Sequence, residues 1–434
     1  MEGEHGMDGP GEPAEAVAAS LWRNRNLLIL VGGQWVSQVG NTLFVMAVYW
    51  TVLARTGSRA DLGYVGSLLG LASVFGLVAG ALVDRWDRRR TMIWVDVGRA
   101  VLAFALVALA LRNALPVLLM VALVLTMSLG SQFFYPAESA LLPAVVSDDT
   151  LASANAMNQS GLALSQLVGA SLGGAILGLL GPIVLFGFNG FSFAVSVVSL
   201  LLLRVTEPPR AARQAAAGLG AAVGALWRDV AQGQRTIWGS PFLRRALPIT
   251  VIVNFALAPV NLLDVAWVRQ VLHLGAFVYG LFGMAILVGM LAGSALASVV
   301  ARRVSLRAAL TFGIGIAGLC IIGLSRVPLA VPDLAFLAGF GLCIGIVNTM
   351  VAVSLQRAVP DAVRGRVFGT LSAFSNMAMP LAGLLTGLVA GAVSLGAIFA
   401  AAGALLAASS VLVVGLPSDL ATVEVAEAAL PSGA

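Results

Sequence analysis

The stretch from Gly80 to Arg90 reads GALVDRWDRRR, and the fold follows from how it is interpreted. Two acids, Asp84 and Asp87, and four arginines, Arg85, Arg88, Arg89 and Arg90, stand in a short polar hairpin between two long apolar runs. Charge is scarce elsewhere: 10% of the 434 residues are charged and 59% are hydrophobic, with a mean hydropathy of +0.97. That balance lies outside the range of soluble domains, so the hairpin reads as a loop at a membrane surface.

A hydrocarbon core of roughly 30 Å takes about 20 apolar residues per helix. Outward from the hairpin, twelve runs of that kind follow: Leu27–Leu53, Leu62–Val83, Met92–Leu111, Leu115–Tyr135, Leu151–Leu180, Ile183–Leu203, Leu247–Val268, Val278–Ala301, Ala308–Leu324, Leu329–Val353, Val367–Val389 and Leu395–Val414. A membrane β-barrel would show alternating segments of about 10 residues instead. The expected fold is therefore an all-α polytopic membrane protein with 12 transmembrane helices.

All 25 basic residues are arginine, and their positions explain the net charge of +5. With the N-terminus in the cytoplasm, 19 fall on the cytoplasmic side, five outside (Arg55, Arg59, Arg112, Arg269, Arg326), and Arg99 within a helix. This positive-inside bias puts both termini in the cytoplasm of a multi-pass cell (inner) membrane protein and gives no reason to expect nucleic acid. Cys320 and Cys343 fall within apolar runs and read as packing residues. His5 and His273, the only histidines, offer no metal motif, and no nucleophile constellation supports an enzyme.

The only long polar interval inside the chain divides the runs six and six. Residues 1–23 read as a cytoplasmic tail, 24–203 as a first six-helix bundle, 204–246 as a linker, 247–416 as a second bundle and 417–434 as a second tail. In the linker, Val223, Leu226, Val230 and Ile237 have the spacing of an amphipathic helix on the cytoplasmic face, in what is first of all a tether. The halves repeat. At an offset of 213 residues, Gly70, Gly76 and Gly80 fall on Gly283, Gly289 and Gly293, Asn41 on Asn254, and Gly174 on Gly387. Two similar bundles about a pseudo-twofold axis, with a cavity between them, are the expected outcome.

On these residues the chain resembles the major facilitator superfamily. Gly80, Asp84, Arg85, Arg88, Arg89 and Arg90 match its signature for the loop between helices two and three, with Asp87 where glycine is common. Phe134–Ala137, Leu141–Pro143, Val359–Asp361 and Arg364–Gly369 resemble the branch that holds macrolide efflux proteins and the enterobactin exporter. Gly169–Gly174 is similar to the glycine-rich antiporter motif, with Ala170 where proline is usual. The resemblance implies secondary active transport by alternating access, with proton-coupled efflux of a bulky, partly apolar drug or natural product. Siderophore or metabolite export is the alternative within transport; a lipid-handling or non-transporting membrane protein is the alternative outside it. It further implies that the hairpin gates the cytoplasmic side. A monomer among membrane lipids is expected, with a small-molecule substrate and the proton gradient in place of a cofactor.

Other candidates come from polar residues in apolar runs, which must face the protein interior. Asp96 and Arg99 lie three apart on one helix face, and Glu138 at the cytoplasmic end of helix four is a further partner for a charge network. Asp264, alone among apolar neighbours in helix seven, is the candidate proton site; the competing reading is a solvated residue at the outer mouth. Gln34, Ser37, Gln38 and Asn41 form one stripe on helix one, and Gln159, Gln166, Asn254, Asn261, Asn348 and Asn376 are further candidates for a substrate path.

Overall fold

The computed structural model describes residues 20–83, 85–205, 241–358 and 361–414, with isolated positions between 224 and 238. Asp84, the linker positions Val223, Leu226, Val230 and Ile237, and the side chains of Arg364 to Gly369 and of Asn376 lie outside the described residues, as does the chain before 20 and after 414.

Helix α1 (Arg25–Thr56) begins where the Asn24 side chain accepts from the Leu27 amide at 3.1 Å and ends at Gly57, whose φ of 65° only glycine adopts without strain. The second span comes in two pieces, α2 (Arg59–Val74) and α3 (Gly76–Val83), so the continuous run expected from Leu62 to Val83 breaks at Phe75. The cause is local. The Ser73 hydroxyl donates to the Gly70 carbonyl at 2.6 Å, Phe75 N turns back to Ala72 O, and glycines flank the break. Helices α4 (Arg88–Leu111), α5 (Val117–Leu141), α6 (Asp148–Leu180) and α7 (Pro182–Leu202) complete the first bundle.

The second bundle holds α8 (Pro241–Ala266), α9 (Ala276–Ala301), α10 (Leu306–Arg326), α11 (Ala330–Ala358), α12 (Asp361–Ala390) and α13 (Leu395–Val413). Helix α8 runs on into a wider turn at Trp267–Val271, closed by Leu272 N bonding to Trp267 O. Ten helices among the described residues are long and apolar enough to span a membrane. The α2–α3 pair and α12, whose apolar part is Met377–Ala390, bring the spans to twelve.

The two bundles use the same packing scheme. In the first, α1 packs on α6 and α7, and α4 on α5 and α7; in the second, α8 packs on α12 and α13, and α10 on α11 and α13. The bundles meet through α2 on α12 and α6 on α9. A Cβ added to Gly63 would stand 2.3 Å from Gly387 N, and one added to Gly174 would stand 2.5 Å from Gly280 Cα and 2.9 Å from Ala276 O. Under the 213-residue offset Gly63 becomes Ala276 and Gly387 becomes Gly174, so the same close seam recurs on both sides of the twofold axis. Small residues let these backbones approach where burial of apolar surface cannot drive association.

Candidate functional site

The hairpin fastens the ends of the first bundle. Asp87, the apparent departure from the signature, caps α4 by accepting from Arg90 N at 2.7 Å. Arg88 donates to Ala140 O at 2.9 Å, near the end of α5; Arg89 donates to Leu200 O at 2.7 Å and Leu201 O at 2.9 Å, at the end of α7. Guanidinium groups there satisfy orphan carbonyls and oppose the negative ends of two helix dipoles. Trp86 stacks on Phe133 of α5, and exposed Arg90 lies 3.9 Å from Asp87. Gly80 faces Pro136 of α5, and an added Cβ would meet that ring at an ordinary 3.9 Å. The tight approach belongs to its counterpart, Gly293, where a Cβ would lie 2.1 Å from Leu342 O.

Deeper in the first bundle, Asp96 and Arg99 form a buried pair on α4, Nη1 to Oδ1 at 3.2 Å. Arg99 also donates to Asn41 Oδ1 of α1 at 3.1 Å and lies 3.9 Å above the Phe193 ring of α7. The pair thus ties three helices together and cancels a charge that would be costly alone. Glu138 is buried but lies outside this ion pair: it accepts from Asn158 of α6 at 3.4 Å.

Two cavities share Gln38, Asn41 and Val45. One, of about 260 Å³, lies inside the first bundle against Arg99, Gln132, Tyr135 and Asn189. The other, of about 390 Å³, lies between the bundles, against Gln166 of α6, Asn261 and Asp264 of α8, and Tyr279 of α9. Asp264 Oδ1 accepts from Val265 N at 2.6 Å, and no cation among the described residues lies within ion-pair reach of it. Arg269, its nearest basic neighbour in sequence, sits instead over the Trp50 ring at 5.3 Å.

Other expected path residues part company. Gln34 turns into the bundle and donates to Ser196 at 3.3 Å, and Asn254 bonds its own helix at Thr250 O, 2.9 Å. Gln159 and Asn348 are exposed and outside the lining of both cavities. Ser128, Ser131, Gln132 and Tyr135 of α5 were missed, although their spacing matches the stripe on α1 and was there to be read. Asp333 was missed too: fully buried in α11, it accepts from Trp267 Nε1 at 2.8 Å.

At the end opposite the hairpin the bundles close on each other. Arg59 Nε donates to Gln270 Oε1, Gln270 Nε2 to Gly57 O at 3.2 Å, and Ser67 Oγ to Pro380 O at 2.8 Å. Trp50 and Tyr279 stack beneath them, 6.3 Å between centroids. Gly57 and Gln270 are themselves 213 residues apart, so this contact sits on the twofold axis.

Comparison with known proteins agrees with this architecture. The chain is 26% identical over 400 residues to the multidrug efflux pump Tap of Mycolicibacterium fortuitum, covering 86% of this chain and 91% of that one. It is 24% identical over 373 residues to macrolide efflux protein A of Streptococcus pyogenes, covering 82% and 87%. The solved structure of the nucleoside transporter NupG superposes with a TM-score of 0.69 at 13% identity, over 90% of this chain and 98% of that one. A bacterial homologue of the lysosomal transporter Spinster, inward-facing and occupied, superposes at 0.67 with 14% identity, over 89% and 94%. With the Major Facilitator Superfamily model matching residues 30–369, the chain belongs to that superfamily and is a multi-pass membrane transporter.

Proposed function

We propose that this transporter is a proton-coupled exporter of a bulky, partly apolar compound, a drug or natural product, working by alternating access in the cell membrane. The observation that carries this reading is the placement of Asp264: a carboxylate with no cationic partner among the described residues, on the wall of the cavity that the two bundles share. A site between bundles is exposed to one side or the other as they rock, so a proton held there can be exchanged across the membrane. Gln38, Asn41, Gln166 and Asn261 give hydrogen-bonding groups beside Met46, Ile286 and Leu287, a lining suited to an amphipathic cargo. The named relatives, a multidrug pump and a macrolide efflux protein, support export.

The arginine bias supports a cytoplasmic hairpin and cytoplasmic termini. In that orientation, closure around Gly57 and Gln270 makes this the inward-facing state, with the hairpin on the open side, where it would gate the cytoplasmic end. The protein is read as a monomer among membrane lipids, with the proton gradient as its energy source and no cofactor.

The test is substrate-driven proton flux in vesicles of the purified protein, with cargo first found by a drug-accumulation assay in an efflux-deficient host. Asp264→Asn should abolish the flux while the protein still binds cargo. Flux and pH dependence unchanged in this variant would defeat the assignment, and no flux across a broad drug and siderophore panel would defeat export itself.

A further inference from the structure

A third cavity lies apart from this site, inside the second bundle between α8, α12 and α13, with a volume of about 350 Å³. Its one polar lining side chain, Thr386, donates to Ala382 O at 2.7 Å and so makes no demand for water or a polar ligand. Leu385, Val389 and Leu405 form an outward-facing rim on helices that span the membrane.

The internal repeat shows how the chamber arises. Ala382, Thr386 and Pro259 stand where the first bundle has Gly169, Gly173 and Met46. There the seam is shut: a Cβ on Gly169 would lie 2.8 Å from Thr42 Cβ, and one on Gly173 would lie 2.7 Å from Met46 Sδ and 3.1 Å from Leu43 Cδ2. In the second bundle an alanine and a threonine stand in place of the two glycines, and a proline stands in place of the long methionine that fills the seam. The same frame therefore carries a closed seam in one half and an open, apolar chamber in the other.

We infer that this chamber binds one acyl chain of a membrane phospholipid, in the half of the bilayer away from the Gly80–Arg90 hairpin. An apolar cavity of about 150 Å³ already stays dry and takes up benzene, so an apolar chamber of more than twice that size has ample room for an alkyl chain. Transfer from lipid into protein gains nothing from leaving water; the gain is dispersion contact with walls that otherwise face a void. The occupant is then the apolar molecule present in greatest excess at the mouth, the surrounding lipid. The headgroup stays outside, because the lining offers it no donor.

The full-length protein in phospholipid nanodiscs, carrying a small share of phosphatidylethanolamine with a diazirine midway along one acyl chain, tests this. After irradiation, adducts mapped by mass spectrometry should concentrate in peptides spanning residues 382–389 and 397–405. They should fall several-fold in Ala401→Phe and in Ala402→Phe, which fill the chamber. Leu385→Ala, which only widens the mouth, should keep or raise them, and a headgroup diazirine should leave these peptides unlabelled. Adducts spread evenly over lipid-facing helices such as α4 and α10, or undiminished in both filled variants, would overturn the assignment. So would loss of the adducts on adding a transported drug, which would reassign the chamber to cargo.

Discussion

Asp96 and Arg99 show what a single pair of residues contributes. Each is buried, and each is tolerable only because the other is there. Arg99→Ala should therefore cost about 3–5 kcal/mol by leaving an uncompensated carboxylate, whereas Asp96→Leu with Arg99→Leu should recover much of that loss. Thermal unfolding of the purified protein checks both; a double variant that loses as much as the two single variants added together would show that the pair is not coupled. The pairing was legible in the sequence because three residues along a helix is a local rule. Its partners Asn41 and Phe193 were not, since 58 and 94 positions separate them from Arg99. Glu138 looked equivalent by burial and charge, yet its side chain meets Asn158 instead.

Among the helices, caps and glycines do work that can be separated. Asp87→Ala removes the cap of α4 and should cost about 1 kcal/mol in thermal unfolding. Gly293→Ala forces a methyl group against Leu342 O and should cost about 1–3 kcal/mol. Gly80→Ala, with free space before Pro136, should be neutral or slightly stabilising, because alanine favours a helix by up to about 1 kcal/mol over glycine. A larger loss at Gly80 than at Gly293 would contradict this geometry. The two glycines are counterparts in the repeat and identical as letters; only the distance to the facing helix separates them. The break at Phe75 was equally hidden, because hydropathy runs unbroken through it while Ser73 takes a backbone carbonyl for itself.

For the molecule as a whole, the two halves share a frame and differ in what fills it. Ser131 and Gln132 line a polar chamber in the first bundle; their counterparts Ile344 and Gly345 face a seam so tight that a Cβ on Gly345 would lie 2.2 Å from Met290 O. The apolar chamber shows the opposite bias. Closure at the end away from the hairpin is the feature most open to test. Arg59→Ala combined with Gln270→Ala, in a background with Cys320 and Cys343 changed to serine, should raise labelling of a cysteine at Gln166 by an impermeant maleimide added from that side. Unchanged labelling would mean that the remaining contacts, the Ser67–Pro380 bond, the Trp50–Tyr279 stack and the glycine seams, hold the bundles shut. Number of spans, arginine bias, twofold repeat and superfamily were determined by the sequence alone, because each depends on composition and spacing along one chain. Which polar residues meet at a cavity, which glycines are obligatory and which seam stands open were decided only by the tertiary structure, because they depend on distances between helices that are remote in sequence.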